Sequence, residues 1–296
     1  MRRLTTDDFH PEVLQLFDKY VHGRISRRDF IDGAAKFAVG TATGATLLES
    51  LRPRYAEATQ VQPNDPRITT SYVELASPEG NGRMRGYLVK PAKMQGKLPG
   101  VVVIHENRGL NPHIEDVTRR MALENFIAFA PDALFTLGGW PGDDEKALPL
   151  FRSLDRVKIY NDCLVAARHL KTLPDGNGKV GSTGFCFGGA ATNFIATRMP
   201  ELGAAVPFYG GAPDAKDVPN IKAPLLINYA DNDEGTNAQW PAYEAALKAA
   251  GKQYEKYAYP GTVHGFHNDT TPRYNAGQAK IAWDRTIAFF NKHLRS

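Results

Sequence analysis

The chain has 296 residues, 42% hydrophobic and 10% aromatic, which is the composition of a folded globular protein with one large core, with or without a terminal extension. Its 36 basic and 32 acidic residues give a net charge of +4 and are interspersed along the chain, so the pattern argues against nucleic-acid binding. The two cysteines, Cys163 and Cys186, cannot form a disulfide framework.

Residues 1–59 have two interpretations. The sequence SRRDF, from Ser26 to Phe30, precedes a weakly apolar segment and the small-residue sequence YAEA, which is typical of a twin-arginine export signal and would place the protein in the periplasm. Alternatively, apolar residues recur at helical spacing between Phe9 and Tyr20, which predicts a helical arm packed on the body of a cytoplasmic protein. The apolar segment is too short and too glycine-rich for stable membrane insertion.

The main domain is predicted over residues 60–296. Its start, QVQPNDPR at Gln60 to Arg67, contains two prolines and is typical of a linker. Two strands, SYVEL and MRGYLVKPA, then flank a turn-rich loop and predict a hairpin or meander at one edge of a sheet. After them strands and helices alternate, which predicts a mostly parallel sheet with helices on both faces and a ligand site at the carboxyl ends of the strands.

The sequence GFCFG, from Gly184 to Gly188, follows a predicted strand and precedes a predicted helix. It matches the nucleophile elbow G-x-S-x-G, with Cys186 in place of the serine. Glycine is expected at both ends because a side chain there would collide with the crossing strand and helix. The helix N-terminus favours a thiolate, so Cys186 is the predicted nucleophile; a buried cysteine in a tight turn is the alternative. Cys163 is predicted to be an inert thiol on a buried helix face.

A base and an acid are expected after the nucleophile in the chain. Asp231 and Asp233 end a hydrophobic strand, and Asp233 is preferred because it lies further into the loop. His264 and His267 follow the next strand, and His264 is preferred because it comes directly after the loop PGT. Asp231 stays open as the alternative acid.

Glu106 follows a third buried strand, so its carboxylate is predicted at the same sheet edge as Cys186. There it would oppose thiolate formation, or hold the thiol proton until substrate displaces it. The alternatives are a solvated loop carboxylate and an ion pair with Arg108. The backbone N–H groups of Phe187 and Asn107 are the predicted oxyanion hole.

Together these motifs resemble the dienelactone hydrolase family, the cysteine branch of the α/β-hydrolase superfamily, over about Tyr72 to Leu294. The resemblance implies the α/β-hydrolase fold and hydrolysis of small esters or lactones through a thioester. It implies a triad of Cys186, Asp233 and His264, with Glu106 holding the resting cysteine. Founding members of the family have a substrate-binding arginine four residues after the histidine, where this chain has Asn268. Arg108 and Arg273 are the candidates for that role.

Other chemistry is not supported by the spacing. HENRG has Gly109 in place of the second histidine of H-E-x-x-H, and GFCFGGA lacks the end of a phosphate-binding loop, so no metal and no cofactor are expected. A monomer and a homodimer are both compatible with the sequence. The rival function is a redox sensor or binding module on the same fold, and a sensor would need a resolving cysteine beside Cys186.

Overall fold

The computed structural model describes residues 2–295, which form one eight-stranded sheet, helices on both of its faces and a helical arm before it. The strands are β1 (Ile68–Ser77), β2 (Gly82–Pro91), β3 (Leu98–Ile104), β4 (Ile127–Asp132), β5 (Gly176–Phe185), β6 (Ala204–Phe208), β7 (Leu225–Asn232) and β8 (Tyr254–Val263). The helices are α1 (Pro11–Val21), α2 (Arg27–Ala35), α3 (Gly44–Leu51), α4 (Tyr55–Ala58), α5 (Pro112–Leu123), α6 (Asp144–Ser153), α7 (Arg156–Lys171), α8 (Phe187–Arg198), α9 (Glu234–Asn237), α10 (Trp240–Ala249) and α11 (Ala276–Leu294).

The strand order is β1-β2-β4-β3-β5-β6-β7-β8. β2 runs antiparallel to both of its neighbours, and the other neighbouring pairs are parallel. The predicted edge hairpin is therefore confirmed as β1 and β2, and the predicted α/β-hydrolase architecture is confirmed with it. From β3 the chain goes first to β4 on one side and later to β5 on the other, so the ends of β3 and β5 lie at the point where the winding direction reverses.

The central strand β3 is apolar throughout because helices cover both of its faces. Val101 and Val103 pack into the core on the side of α5 and α11, whereas Val102 and Ile104 pack into the core on the side of α7 and α8. Successive side chains of a strand point to opposite faces, so a strand covered by helices on both faces needs apolar residues at every position. The sheet is thus a rigid support for the loops at its carboxyl edge.

The arm has a small core of its own, separate from the two cores of the sheet. Its buried side chains come from α1, α2, α3 and the segment before α1: Phe9, Val13, Phe17, Phe30, Ala34, Leu48 and Leu51. The sequence SRRDF forms the start of α2, where the Ser26 hydroxyl accepts a hydrogen bond from the Asp29 N–H and caps the helix. Within residues 2–295, no helix has both the length and the apolar composition needed to cross a bilayer.

One set of contacts between the arm and the body lies at the start of α6. Arg52 donates a hydrogen bond of 2.6 Å to Asp143, and the Tyr55 hydroxyl donates one of 2.7 Å to Asp144. Glu145 accepts hydrogen bonds from Tyr20 and from Arg27. The arm and α6 together therefore cover the carboxyl edge of the sheet.

Candidate active site

Cys186 lies in a strained turn between β5 and α8. Its backbone has φ +56° and ψ −110°, a conformation that is rare for residues other than glycine. A Cβ at Gly184 would lie 2.2 Å from the carbonyl oxygen of Gly188, and a Cβ at Gly188 would lie 2.2 Å from that of Ile104. The turn brings strand and helix so close that only glycine fits at these two positions, and it carries the thiol at the sheet edge.

His264 and Asp233 form a hydrogen-bonded pair beside this turn. His264 follows β8, and its Nδ1 lies 2.6 Å from the carboxylate of Asp233, which follows β7. Asp233 is buried and also accepts a hydrogen bond from the Thr236 N–H, whereas Asp231 is exposed. Burial alone would lower the pKa of His264, but the Cys186 thiolate and Asp233 raise it well above its ordinary value.

His267, the other histidine of this loop, has an apolar environment. Its ring stacks on Phe185 at a centroid distance of 5.1 Å and lies 5.0 Å from the ring of Phe208. Burial lowers the pKa of His267 to about 3, so the ring is neutral at physiological pH. Its role is packing beneath the site.

A second histidine, His22 of the arm, contacts the thiol. His22 Nε2 lies 3.4 Å from Cys186 Sγ, and its ring meets the ring of His264 edge to face at a centroid distance of 4.7 Å. The sulfur and one ring nitrogen from each histidine all lie within 4.8 Å of one another. Burial would raise the pKa of Cys186, but the charges of His264 and His22 lower it to about 6.

Glu106 follows β3 and lines the same cavity as Cys186. Its carboxylate accepts a hydrogen bond of 2.9 Å from the side-chain amide of Asn268. Within residues 2–295, no hydrogen bond or ion pair joins Glu106 to Cys186 or to Arg108. The thiol's hydrogen-bond partner is instead His22.

Phe187 directly follows Cys186, and Asn107 lines the same cavity as Cys186. Phe187 is the first residue of α8, and the N–H groups at a helix start have no acceptor within the helix. The Asn107 side chain donates a hydrogen bond of 2.9 Å to the carbonyl oxygen of Val21 in the arm. Arg108 donates to the same oxygen from both terminal nitrogens, each at 3.1 Å. The loop after β3 is therefore tied to the loop that carries His22.

The thiol and both histidines open into a cavity of about 260 Å³ whose walls come from the arm and from the body. Arg273 lines this cavity and is 7% exposed. Two of its nitrogens, Nε and Nη1, have no hydrogen-bond acceptor among the described residues, and its guanidinium lies 5.1 Å from the ring centroid of Phe17. A buried guanidinium with free donors is suited to an anionic group of a ligand.

The comparison with known families agrees with this geometry. A sequence model of the dienelactone hydrolase family matches residues 84–294. The chain belongs to this family. A second model, described as YqhI-like, matches residues 1–37, the part of the arm that contains His22.

Individual relatives point the same way. An Escherichia coli K12 protein named "Putative carboxymethylenebutenolidase" is 30% identical over 251 residues, which cover 80% of this chain and 92% of that protein. The E. coli K12 "Putative hydrolase fragment YghX" is 56% identical over 113 residues, 38% of this chain and 97% of the fragment. A crystal structure titled as a putative dienelactone hydrolase from Klebsiella pneumoniae is similar with a TM-score of 0.63 at 29% identity, over 76% of this chain and 99% of its own. The protein is thus a dienelactone hydrolase-like hydrolase, and its family implies small ester or lactone substrates.

Proposed function

We propose that the protein hydrolyses carboxylic esters or lactones through a thioester on Cys186, with His264 as base and Asp233 as the acid that orients it. The supporting observation is the arrangement at the cavity floor. A thiol whose pKa is lowered to about 6 lies beside an imidazole that is held by a buried carboxylate. A thiol needs an adjacent base or a lowered pKa to act as a nucleophile at neutral pH, and this site offers both.

In the first half-reaction the Cys186 thiolate attacks the carbonyl carbon and a C–S bond forms. The carbonyl oxygen becomes an oxyanion that accepts hydrogen bonds from the N–H groups of Phe187 and Asn107. The intermediate collapses, the C–O bond to the alcohol breaks, and the leaving alkoxide takes a proton from the His264 imidazolium. In a lactone the alcohol stays attached to the acyl group, so the ring opens without loss of a fragment.

In the second half-reaction His264 Nε2 takes a proton from water, which attacks the thioester carbonyl. The second intermediate expels the Cys186 thiolate and releases the carboxylic acid. Asp233 holds Nδ1 at 2.6 Å, which fixes the tautomer that leaves Nε2 free for these transfers. Within the described residues, no hydrogen-bond partner occupies Nε2.

Arg273 is the better candidate for binding an acidic group on the substrate. The guanidinium of Arg108 is engaged by Val21 and by the Asn107 side-chain oxygen, whereas Arg273 lines the cavity and its Nε and Nη1 have no hydrogen-bond acceptor among the described residues. Asp18 carries a negative charge nearby: burial would raise the pKa of its carboxyl, but the hydrogen bond with His22 and the charges of His264, His22 and Arg273 lower it. We therefore propose ester or lactone substrates that carry a carboxylate.

A panel of simple esters, neutral lactones and carboxylate-bearing lactones tests this function. We expect hydrolysis by the wild type and a loss of about 10³-fold or more in Cys186→Ala, because removing the nucleophile leaves only binding and the oxyanion donors. Cys163→Ala is the matched control, since it removes a thiol that is buried in α7 and does not line the cavity. Equal rates for wild type and Cys186→Ala would contradict the proposal.

The rival redox-sensor function has weaker support. Cys163 is fully buried, burial raises the pKa of its thiol, and it does not line the cavity, so it is not placed to resolve a sulfenic acid on Cys186. The export hypothesis for Ser26 to Phe30 stays a prediction. A mature N-terminus near Thr59 in protein from the native host would support it, and an intact Met1 would contradict it.

A further inference from the structure

The loop after α1 carries a histidine of the arm into the site on the body. His22 is the residue that ends α1, and its backbone N–H donates to the carbonyl oxygen of Asp18. Its Nδ1 lies 2.8 Å from that carbonyl oxygen and 3.2 Å from the Asp18 carboxylate. Because both neighbours of Nδ1 are acceptors, Nδ1 carries a hydrogen, and Nε2 faces Cys186 Sγ at 3.4 Å.

This position is held from both sides of the loop. Before His22, the Val21 carbonyl oxygen accepts three hydrogen bonds from the side chains of Asn107 and Arg108. After His22, Gly23 turns the chain with φ +66° and its carbonyl oxygen accepts a hydrogen bond from Arg152. An arm that only shielded the sheet edge would not need a half-buried histidine whose loop is fixed on both sides and whose ring is directed at the sulfur.

The result is a second Asp–His pair on the same sulfur. Asp233 supports His264 from the body, and Asp18 supports His22 from the arm, with the two rings in edge-to-face contact. The family model begins at residue 84, so the arm pair lies outside the segment that defines the family. Nothing in the proposed mechanism assigns a role to His22.

We infer that His22 is a further catalytic residue, supplied by the arm, whose imidazolium stabilises the resting Cys186 thiolate. The S–H bond breaks with loss of its proton to solvent, while the Nε2–H of His22 donates to the sulfur and Asp18 holds the hydrogen at Nδ1. His264 then stays available to protonate the leaving alkoxide and to take a proton from water. The inference rests on the proposed function for its use in turnover, but the thiolate itself is measurable without any substrate.

The electrostatics agree with this assignment. Burial alone would lower the pKa of His22, but the Cys186 thiolate and the hydrogen bond with Asp18 raise it to about 9. With the thiol pKa lowered to about 6, the ion pair forms as the pH rises through about 6 and is lost as His22 deprotonates near 9. The other ionisable groups around the thiol and its cavity are His264, Asp233, Glu106, Tyr20, Arg27, Arg52, Arg108, Asp144, Glu145, Arg152, Tyr160, Tyr209 and Arg273.

The test is the pH dependence of Cys186 alkylation by iodoacetamide in the full-length chain, followed by peptide mass spectrometry so that Cys163 is scored separately. In the wild type we expect the alkylation rate to rise with a midpoint near pH 6. In His22→Ala we expect the midpoint to move up by about one pH unit, with an alkylation rate at pH 6 lower by about fivefold, since the thiolate fraction at that pH falls from about one half to about one tenth. Ester hydrolysis at pH 7 should fall in the same variant.

The matched control is His10→Asn, which replaces an exposed histidine of the same arm and keeps a capping side chain at the start of α1. In this variant the midpoint of Cys186 alkylation should equal that of the wild type.

Circular dichroism shows whether His22→Ala folds. If it does not, Asp18→Asn replaces it, and we expect a smaller shift of the alkylation midpoint in the same direction. A folded His22→Ala with an unchanged midpoint would overturn the inference, and so would faster ester hydrolysis, because His22 would then be an obstruction. If the wild type hydrolyses no ester, the proposed function fails while the titration still decides the role of His22.

Discussion

The two Asp–His pairs at Cys186 are built in different ways. Asp233 and His264 are 31 residues apart, and they meet because β7 and β8 are neighbouring parallel strands whose ends lie at the same sheet edge. Asp18 and His22 are four residues apart on one helix, so their contact follows from helical spacing alone. The Asp18–His22 pair (the arm pair) reaches the sulfur only while the arm is docked on the body. The Asp233–His264 pair (the body pair) is instead held by the sheet itself.

The largest expected effect comes from His264→Ala. We expect kcat to fall by about 10²- to 10⁴-fold, the range for loss of a general acid–base group. His22 should not replace the missing ring, because its proposed place is beside the resting thiol and not at the leaving group. Ester hydrolysis under saturating substrate measures the effect, with His10→Asn as the control. A loss of less than tenfold would show that the arm pair can perform the proton transfers, and the division of labour between the pairs would be wrong.

Asp233→Asn should have the next largest effect. A hydrogen bond to a charged group contributes about 1.5–3 kcal/mol, so we expect kcat/KM to fall by about 10- to 100-fold. The amide can also hold the imidazole in the wrong tautomer. The matched change in the arm is Asp18→Asn, which should cost less because the Asp18 carbonyl oxygen still holds Nδ1 at 2.8 Å. Equal losses in the two variants would remove the distinction between a body pair and an arm pair.

The parts of the site that lie on the sheet could be predicted from the sequence. The alternation of strands and helices fixed the carboxyl edge, and GFCFG identified the turn because its two glycines have a steric reason that the structure bears out. Asp233 and His264 were placed at strand ends on the same basis. Each of these inferences uses a local pattern together with one topological rule.

The parts that depend on packing between distant segments could not be predicted. The contact between His22 and Cys186 joins residues 164 positions apart, and helical spacing in the arm says nothing about where the arm docks. The available signal was the Asp18 and His22 pair at the end of a predicted helix. No helix is predicted from the sequence for the residues of α6. Pro149 lies inside this helix and is typical of a helix break, and Asp143 caps the start of the helix with two hydrogen bonds. Likewise, Glu106 was placed at the correct edge, but its contact with Asn268 is a tertiary feature.

The smallest effect is expected from Glu106→Gln, and its sign separates the two models of the resting thiol. If Glu106 acts only through its charge, the neutral amide removes the repulsion between the Glu106 carboxylate and the Cys186 thiolate. The pKa of Cys186 then falls further, and alkylation at pH 5 becomes faster by about two- to threefold. The arm variant His22→Ala moves the titration in the opposite direction, so the two changes distinguish a group that opposes the thiolate from one that stabilises it. Glu124→Gln, an exposed carboxylate on the far end of α5, is the control. An unchanged pH profile of Cys186 alkylation would show that Glu106 does not control the thiol. Slower alkylation would mean that the Glu106 carboxylate accepts the thiol proton. In that case a residue of the body, and not His22 of the arm, maintains the nucleophile.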